Sequence, residues 1–499
     1  MSTSVLITII LLLSAACLFF RKRKNYPPGP FPWPVVGNLP LLRSLSRTLG
    51  GQHCAFLELS RQYDSDVVAL RVGCSDVIAV SNQEAIQKVL HNEEYDGRPW
   101  NEFIELRNFG SKTGITFNDG REWREMRAWL VRNLRALGLG RRQMLDLMTE
   151  ELNGILEKMK DGGVHCLNEI IAPAVINVLW TLTAGKRIDD RPRMLYFIDL
   201  MKRRARAFDM IGGTLSALPW IRHIAPEKSG YNLLTTVNME LKRFFMETIN
   251  EHKKNYTANK QDDLIDMFLN EMYSEANSDG LFNENELVMI MMDLFIAGLN
   301  TTTTTLDFLF LNMIVNQEVQ ELLHQELDKV VGFGRTPDLN DKKRLPYTEA
   351  ILTESQRMCL VVPVIGPRRV LRETKLSGYT IPQEATVILN IWSIHMNPEY
   401  YSEPDVFKPE RFLQNGVFVP DKNLIFFGEG KRRCPGETLA RCAIFLIFVG
   451  VMQRCRLLPV PGQESPTLVR VPGLTISPKP YDALLIPRQA ATSYVDVPN

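Results

Sequence analysis

The stretch Phe427-Gly-Glu-Gly-Lys-Arg-Arg-Cys-Pro-Gly436 decides the fold of this chain. Its cysteine, Cys434, comes just before a segment of helical periodicity, and a helix N-terminus favours negative charge. The arginines supply the positive surroundings in which a thiol loses its proton. The glycines let the backbone approach a flat group and aim N–H donors at the sulfur. The alternative is a buried structural cysteine on a glycine-rich turn, but the combined residues at this spacing favour a thiolate that ligates a metal in a flat cofactor.

The composition is that of a globular protein with a large core. Of the 499 residues, 45% are apolar and 23% are charged. Lys and Arg together (58) nearly balance Asp and Glu (57), so no global charge favours nucleic acid as a partner. The eight cysteines show neither a CxxC pair nor a regular spacing. This pattern argues against a disulfide framework or a zinc site and fits a reduced compartment.

The N-terminal segment from Val5 to Phe20 is apolar and is followed at once by Arg21-Lys-Arg-Lys24. A cleaved signal peptide is the alternative, but it needs basic residues before the apolar run and a small-residue cleavage site after it. An apolar run of this length is marginal for crossing a bilayer, and the positive-inside rule keeps its basic end in the cytosol. We therefore expect an uncleaved signal-anchor at 1–24, a stiff proline-rich connector at 25–40 and one catalytic domain at 41–499.

Hydrophobic periodicity predicts a mainly α domain with a minor β region. Asp66 to Ser81 alternates around a glycine, which is typical of a hairpin, and Gly378 to Ile394 indicates a second short sheet region. The helical period extends over Arg121–Leu137, Gln143–Met159, Leu233–Glu251, Asp262–Tyr273, Glu284–Val331, Tyr347–Cys359 and Leu439–Cys455. No linker or internal repeat divides residues 41–499, so we expect a single large domain.

The segment from Leu287 to Val315 is apolar enough to suggest a second membrane-spanning helix. Asp293, Asn300 and Asp307 interrupt it, and polar groups are costly in lipid unless they face a protein interior. We therefore predict a long helix buried inside the globular domain. Gly298 marks a place where this helix could loosen and open space for a ligand.

The motifs together resemble those of the cytochromes P450. The stretch around Cys434 matches that family's haem-binding signature, F-x-x-G-x-R-x-C-x-G, at every defined position, and the resemblance covers essentially the whole chain. Glu354-Ser-Gln-Arg357 matches the E-x-x-R motif, whose charged groups lie one helical turn apart and can pair. Pro409-Glu-Arg411-Phe412 matches the segment whose arginine completes that network. The resemblance implies the cytochrome P450 fold and a structural role for both motifs.

The resemblance also implies haem b as cofactor, with Cys434 as the axial iron ligand and 41–499 as the haem-binding domain. The implied cofactor-binding residues are Arg98, Trp123, Arg127, Arg368, Phe427, Arg432 and Gly436. Trp123 and Arg127 form the W-x-x-x-R pair that in the family faces the haem propionates, and guanidinium donors suit carboxylates. Many relatives have His where this chain has Arg368. A solvated surface charge is the alternative for each arginine taken alone.

The sequence Ala297-Gly-Leu-Asn-Thr-Thr302 matches the family's oxygen-activation motif, A/G-G-x-D/E-T-T/S, apart from one position. Asn300 replaces the usual carboxylate. The resemblance implies that Thr301 lies near the dioxygen site and helps to hold a water there. Thr301 and Asn300 are therefore the predicted catalytic residues, and a threonine-rich buried helix face without chemistry is the alternative.

The resemblance implies a monooxygenase that puts one atom of dioxygen into an organic substrate and releases the other as water. No Gly-rich dinucleotide fingerprint or flavin site is evident, so the electrons must come from another protein. We expect NADPH–cytochrome P450 reductase, with cytochrome b5 as a further candidate, and attachment to the endoplasmic reticulum membrane. Candidates for a basic docking face are Arg124, Arg132, Arg135, Lys431 and Arg433. The alternative is that these residues only solvate helix surfaces.

The predicted substrate pocket is apolar, which favours a lipophilic small molecule. Its expected lining comes from Trp100–Gly114, Phe208–Ser216, Phe295–Thr301, Val361–Ile365 and Leu474–Ile476. The chain resembles the microsomal clan of vertebrate drug-metabolising and insect hormone-synthesising members, among them methyl farnesoate epoxidase. An insect hormone precursor is therefore one candidate substrate. Two alternatives stay open, namely an enzyme with an atypical outcome such as aldoxime formation from an amino acid, and a non-catalytic haem carrier or sensor.

Overall fold

A computed structural model of the chain describes residues 24–138, 142–207, 213–473 and 475–488. Except for Lys24, the predicted membrane anchor lies outside the described residues, as do 208–212 and Leu474 of the predicted pocket. Helices account for 55% of the structure and strands for 11%. The prediction of a mainly α domain with a minor β region is confirmed.

The helices and strands follow one another along one continuous domain. The α-helices are α1 (Leu39–Leu49), α2 (Gln52–Gln62), α3 (Gln83–His91), α4 (Glu102–Arg107), α5 (Gly120–Ala136), α6 (Arg142–Met159), α7 (Leu167–Ala184), α8 (Arg191–Ala207), α9 (Thr214–Ala217), α10 (Pro226–Ser229), α11 (Tyr231–Lys254), α12 (Leu264–Met272), α13 (Glu284–Val315), α14 (Gln317–Val330), α15 (Pro346–Met358), α16 (Trp392–His395) and α17 (Glu437–Arg454). The strands are β1 (Val67–Val72), β2 (Ser75–Val80), β3 (Gly163–His165), β4 (Val364–Arg369), β5 (Thr374–Leu376), β6 (Tyr379–Ile381), β7 (Thr386–Asn390), β8 (Leu413–Gln414), β9 (Val417–Phe418), β10 (Cys455–Leu458), β11 (Arg470–Val471), β12 (Ser477–Pro478) and β13 (Ala483–Pro487).

The main sheet has the strand order β1-β2-β7-β4, with β1 and β2 forming the predicted antiparallel hairpin. Its turn contains Gly73 at φ +59, where a Cβ would come within 2.1 Å of the Ala217 carbonyl oxygen. The second predicted sheet region is confirmed in β6 and β7. Its last residues, Trp392 to Ile394, are helical instead and begin α16.

The predicted helices are confirmed with small shifts at their ends, apart from one. The pattern from Glu284 to Val331 belongs to two helices, α13 and α14, which are separated at Asn316 with φ −111 and ψ 74. The Nε2 groups of Gln317 and Gln320 both donate to the Leu457 carbonyl oxygen at 2.9 Å, which fixes the start of α14 against β10. The apolar pattern continues through the break because α14 also buries residues, among them Leu323 and Leu327.

The central helix α13 is buried, as predicted. Two of the described helices, α7 and α13, are long and apolar enough to cross a membrane, but most of each is buried inside the protein. Asp293 is 2% exposed and accepts hydrogen bonds from Arg107 Nη2 (2.6 Å) and from the backbone N–H groups of Ile115 (2.8 Å) and Thr116 (2.9 Å). Asp307 accepts a hydrogen bond from Asn168 Nδ2 at 2.6 Å, so both aspartates that argued against a lipid environment have protein partners.

The E-x-x-R pair lies on α15 and forms the predicted ionic network. The Glu354 carboxylate accepts hydrogen bonds from Arg357 Nε (2.7 Å) and Nη2 (3.0 Å) and from Arg411 Nε (2.8 Å). Arg357 also donates to the carbonyl oxygens of His395 and Pro404, each at 2.8 Å. Glu354 and Arg357 are fully buried. Through Arg411, the network joins α15 to the segment that precedes the Cys434 loop.

Candidate active site

The loop that carries Cys434 is closed by its own backbone. The Cys434 N–H donates to the Phe427 carbonyl oxygen at 2.9 Å, and the Arg433 N–H donates to that of Gly430 at 3.2 Å. Gly430 has φ +68, and a Cβ there would lie 2.2 Å from the Leu90 carbonyl oxygen. Only glycine fits this close approach, and the loop then enters α17 directly after Gly436.

Cys434 is accessible, and its accessible side lines a cavity that we name the thiolate cavity. Of the predicted site residues, this cavity is lined by Arg98, Trp123, Arg127, Thr301, Phe427, Arg432, Cys434 and Gly436. Burial raises the pKa of the Cys434 thiol, whereas the N–H of Gly436, which donates to the sulfur, and the charges of Arg127 and Arg433 lower it. A Cβ at Gly436 would lie 4.0 Å from Sγ, which is an ordinary van der Waals distance, so the loop passes close beside the sulfur.

Arg432 is fixed at the edge of the thiolate cavity by hydrogen bonds to the backbone. Its Nε and Nη2 donate to the Asp96 carbonyl oxygen at 3.0 and 2.6 Å, and its Nη1 donates to that of Asn118 at 2.8 Å. The guanidinium lies 3.4 Å above the ring centre of Trp123. The Trp123 indole N–H itself donates to the Ile115 carbonyl oxygen at 3.2 Å. Trp123 thus orients Arg432, while its own donor already has a backbone acceptor.

Two further arginines stand beside Arg432. Arg98 Nη1 donates to the carbonyl oxygens of Gly366 (2.9 Å) and Pro367 (2.6 Å). Arg368 is 1% exposed and has its Nη1 3.7 Å from an Asp96 carboxylate oxygen. Unlike Arg98, Arg368 does not line the thiolate cavity, since it is buried within β4. Its Nε and Nη1 are buried without a hydrogen-bond acceptor among the described residues, so Arg368 stays a predicted cofactor-binding residue.

Burial lowers the pKa of all four guanidinium groups of Arg98, Arg127, Arg368 and Arg432, and neighbouring guanidinium groups lower it further for all but Arg127. Burial and the neighbouring guanidinium groups lower the pKa of Arg432 to about 9, and burial together with Arg127 lowers that of Arg368 to about 10, although Asp96 opposes this shift. The pKa of Arg98 is lowered in the same direction, chiefly by burial. The cluster therefore carries more positive charge than its surroundings balance.

Two carboxylates lie near this cluster, those of Asp96 and Asp119. Neither residue was predicted from the sequence to belong to the site. Burial raises the pKa of Asp119, but hydrogen bonds from the Arg98 N–H, Lys112 and Arg369 outweigh it and lower that pKa to about 2. Asp119 precedes α5 directly, and its place before the helix is the only sequence signal that could have singled it out. Because Lys112 and Arg369 engage Asp119, it cannot neutralise the arginine cluster fully.

The arginine cluster fits a cofactor with carboxylate groups. The Nε of Arg98 and the Nε and Nη1 of Arg368 are buried without a hydrogen-bond acceptor among the described residues. Unsatisfied buried donors are costly, and an anion that reaches them would remove the cost. An accessible cysteine and a surplus of guanidinium donors around one cavity match a haem, whose iron takes a thiolate and whose edge carries two propionates.

The opposite wall of the thiolate cavity is formed by α13. Ala297, Gly298, Thr301 and Thr302 line it, and the Thr301 hydroxyl donates to the Ala297 carbonyl oxygen at 2.6 Å. The helix is continuous through Gly298, so the expectation that it loosens there is wrong. A Cβ at Gly298 would lie 2.8 Å from Leu179 Cδ1. Gly298 thus lets Leu179 pack closely against α13, and the small side chain of Ala297 lines the cavity.

Asn300 lines a different cavity from Thr301. This outer cavity has a volume of about 700 Å³ and is lined by Ser46, Arg47, Gly51, Gln52, His53, Lys202, Ala205, Arg206, Asn300, Thr304, Pro363, Val364, Ile365, Gly366, Pro367, Pro472, Gly473, Thr475, Ile476 and Ser477. The two cavities adjoin along α13. The structure thus separates the two predicted catalytic residues, with Thr301 facing the thiolate and Asn300 facing the outer cavity.

Some of the segments predicted to line the substrate pocket line one of the two cavities. Phe295–Thr301, Val361–Ile365 and Ile476 contribute residues to one or other cavity. No residue of Trp100–Gly114 lines either of them, although Arg107 pairs with Asp293 of α13. The following Ile115 and Thr116 line the thiolate cavity. Residues 213–216 also stay outside both cavities.

Comparison with known proteins now decides the family. The family model described as cytochrome P450 matches residues 27–485. The chain belongs to the cytochrome P450 family. It is therefore an oxidoreductase of the monooxygenase class, and its family implies haem iron as cofactor.

Similar P450 proteins occur in insects and vertebrates. The chain is 38% identical to probable cytochrome P450 305a1 of Drosophila melanogaster, over 94% of the chain and 95% of that protein. It is 33% identical to farnesoate epoxidase of Bombyx mori, over 97% and 100%. It is 32% identical to cytochrome P450 2U1 of Homo sapiens, over 95% and 91%. These matches agree with the clan that the sequence motifs indicated.

Replacing Arg432 tests the charge cluster of this P450. We expect Arg432→Gln to release haem about tenfold faster, because the loss of charge-assisted hydrogen bonds typically costs on the order of a factor of ten or more. The measurement is the rate of haem transfer from the purified protein to an excess of an apo haem acceptor. Arg121→Gln is the matched control, since Arg121 is exposed, does not line the thiolate cavity and pairs with Glu125 at 2.6 Å. Equal rates in the two variants would contradict a role of Arg432 in holding the cofactor.

Proposed function

We propose that this P450 binds haem b through Cys434 and oxidises a lipophilic small molecule by hydroxylation or epoxidation. The observation that carries the proposal is the position of Cys434, accessible at one wall of a cavity that also exposes arginine donors and Thr301. A mere haem carrier would need the thiolate and the arginines, but not a second cavity of about 700 Å³ adjoining the helix above the cysteine. That volume suits a small-molecule substrate.

Some side chains around the thiolate cavity would bind the cofactor, and one would supply a proton. When bound, the haem iron supplies the reductive cleavage of dioxygen. Cys434 would hold the iron through Sγ, with the Gly436 N–H and Arg127 stabilising its negative charge. Arg98, Arg127, Arg368 and Arg432 would hold the propionates. The Thr301 hydroxyl, which can exchange the Ala297 carbonyl for a water, would pass a proton within the thiolate cavity.

Electrons for the reaction would come from NADPH–cytochrome P450 reductase. Arg127 on α5 donates a hydrogen bond to the Arg433 carbonyl oxygen, so α5 lies against the Cys434 loop. The predicted docking residues Arg124, Arg132, Arg135, Lys431 and Arg433 are all exposed. Lys431 pairs with Glu93 and Arg433 pairs with Glu437, which leaves the cations of α5 as the stronger part of this face. A basic surface beside the thiolate suits an acidic redox partner.

The cellular setting follows from the N-terminal sequence and the relatives. An apolar segment with basic residues on its C-terminal side supports an uncleaved anchor at 1–24 in the endoplasmic reticulum membrane, with the catalytic domain in the cytosol. Residues 25–40 would connect the anchor to the haem-binding domain of 41–499. Cytochrome b5 is a further candidate partner on the same basic face.

The substrate class is supported by the apolar part of the outer cavity and by one relative. Pro363, Val364, Ile365 and Ile476 give this cavity an apolar wall. The Bombyx mori relative is named farnesoate epoxidase, which supports an isoprenoid hormone precursor as one candidate substrate of this chain.

Reconstitution tests the proposal. The full-length protein, combined with the reductase and NADPH, is expected to consume NADPH and convert members of a lipophilic substrate panel. Thr301→Ala is expected to shift consumed oxygen from product to hydrogen peroxide, because a proton donor near the dioxygen site is lost. Thr305→Ala on the same helix, whose hydroxyl donates to the Thr301 carbonyl oxygen at 2.8 Å, is the control. Haem binding without any NADPH-dependent turnover of the panel would instead support a haem carrier.

A further inference from the structure

The outer cavity carries a marked excess of positive charge. Arg47 on α1 and Lys202 and Arg206 on α8 line it, and no acidic side chain is among its described lining residues. None of these three cations forms an ion pair with a carboxylate of the described part of the chain. His53 also lines the cavity, but burial, aided by Arg470, lowers its pKa to about 4, so that it is neutral at neutral pH.

Asn300 contributes to the positive charge of the cavity because it is neutral where an acid would be negative. It faces the cavity from α13, at the one position where this chain departs from its family's acid. An aspartate or glutamate there would lie in the same cavity as Lys202 and Arg206 and offset part of their charge. With asparagine the cavity keeps its full positive charge, and the amide adds a hydrogen-bond donor that can face an anion.

Opposite these polar groups the outer cavity is apolar. Val364 and Ile365 of β4, with Ile476 and Pro472, form this side. A ligand that fits both sides has an apolar body and one anionic group. Arg47, Lys202 and Arg206 are exposed at the rim of the cavity, so a fully apolar ligand would leave them to water, whereas a carboxylate can accept hydrogen bonds from several of them.

We propose that the substrate of this enzyme is a carboxylic acid with an apolar body, held in the outer cavity by Arg47, Lys202 and Arg206 and accepted there because position 300 is Asn. This inference rests on the proposed function and narrows its substrate class. Both a long-chain or isoprenoid acid and an aromatic amino acid carry the required carboxylate.

Matched acids and esters test the proposal. The probes are oleic acid and methyl oleate, a sesquiterpene acid and its methyl ester, and phenylalanine and its methyl ester. Each is measured by equilibrium dialysis against the full-length haem-loaded protein in a non-ionic detergent. At least one acid is expected to bind about tenfold more tightly than its ester, since a hydrogen-bonded charge typically contributes that much. The pair that shows the preference identifies the source of the carboxylate.

Substitutions of residues that line the outer cavity test whether this cavity causes the preference for the acid over its ester. Lys202→Gln combined with Arg206→Gln, and separately Asn300→Asp, are each expected to weaken the acid about tenfold and to leave the ester unchanged. Arg191→Gln, an exposed cation on α8 that does not line the cavity, is the control. Equal binding of every acid and its ester, or an acid preference that survives the double substitution, overturns the proposal. The reduced carbon monoxide spectrum of each sample reports separately whether the haem-thiolate site is intact, so a failure of the proposed function is recognised independently.

Discussion

Glu354→Gln is expected to destabilise the protein by about 3–5 kcal/mol, which is the usual cost of breaking a buried ion pair from one side. The substitution keeps the volume and removes only the charge. Arg357 and Arg411 would then be left with their guanidinium groups near a neutral amide, and Arg357 is fully buried. Because domains are stable by only about 5–15 kcal/mol, much of the margin would be lost.

The measurement is the thermal unfolding of the full-length protein, followed by circular dichroism together with haem release. Glu410→Gln is the matched control, since Glu410 lies in the same segment as Arg411 but is exposed and accepts a single hydrogen bond, from the Tyr347 hydroxyl at 3.0 Å. We expect the control to unfold at nearly the unchanged temperature. A Glu354→Gln protein that unfolds with the control would refute the structural role of the E-x-x-R network.

Local signals in the sequence predicted the parts of the fold that depend on neighbouring residues. Glu354 and Arg357 pair because residues three apart lie on one face of a helix. The hairpin around Gly73 follows from the alternation of β1 and β2 and from a turn that needs a positive φ. The Cys434 loop was predictable for the same reason, since its glycines and its cysteine act within one short segment.

Features that depend on distant packing were not predictable. The helix α7 has apolar residues all round, so no amphipathic period reveals it, and it is buried against α13. The break at Asn316 lacks a glycine or proline and depends on contacts of Gln317 and Gln320 with β10. A sequence pattern contains neither of these long-range partners.

In the candidate site, too, local sequence predicted some features and others depended on distant packing. The sequence motif joins Asn300 and Thr301, yet successive residues of a helix point about 100° apart, and here they line different cavities. Arg368 was grouped with the haem-facing arginines, and the structure shows that it is buried, lies near Asp96 and does not line the thiolate cavity. The motif therefore predicted which elements meet at the site, while the direction of each side chain required the structure.

Replacing the cysteine itself is expected to have the largest effect on function. Cys434→Ser exchanges a thiol for an alcohol that stays protonated in the same surroundings, so the electron-rich sulfur ligand is lost. The hydrogen bond from the Cys434 N–H to Phe427 is made by the backbone, so the loop can keep its shape. We expect product formation with reductase and NADPH to fall below detection while the protein stays folded.

The most direct test of Cys434 as the axial ligand is the reduced carbon monoxide difference spectrum of the full-length protein and two cysteine variants. Cys442, which is buried on α17, provides the control. The wild type and Cys442→Ser are predicted to show the strongly red-shifted Soret band of a thiolate-ligated haem, and Cys434→Ser is predicted to lack it. An unchanged band in Cys434→Ser would contradict the assignment of Cys434 as the iron ligand.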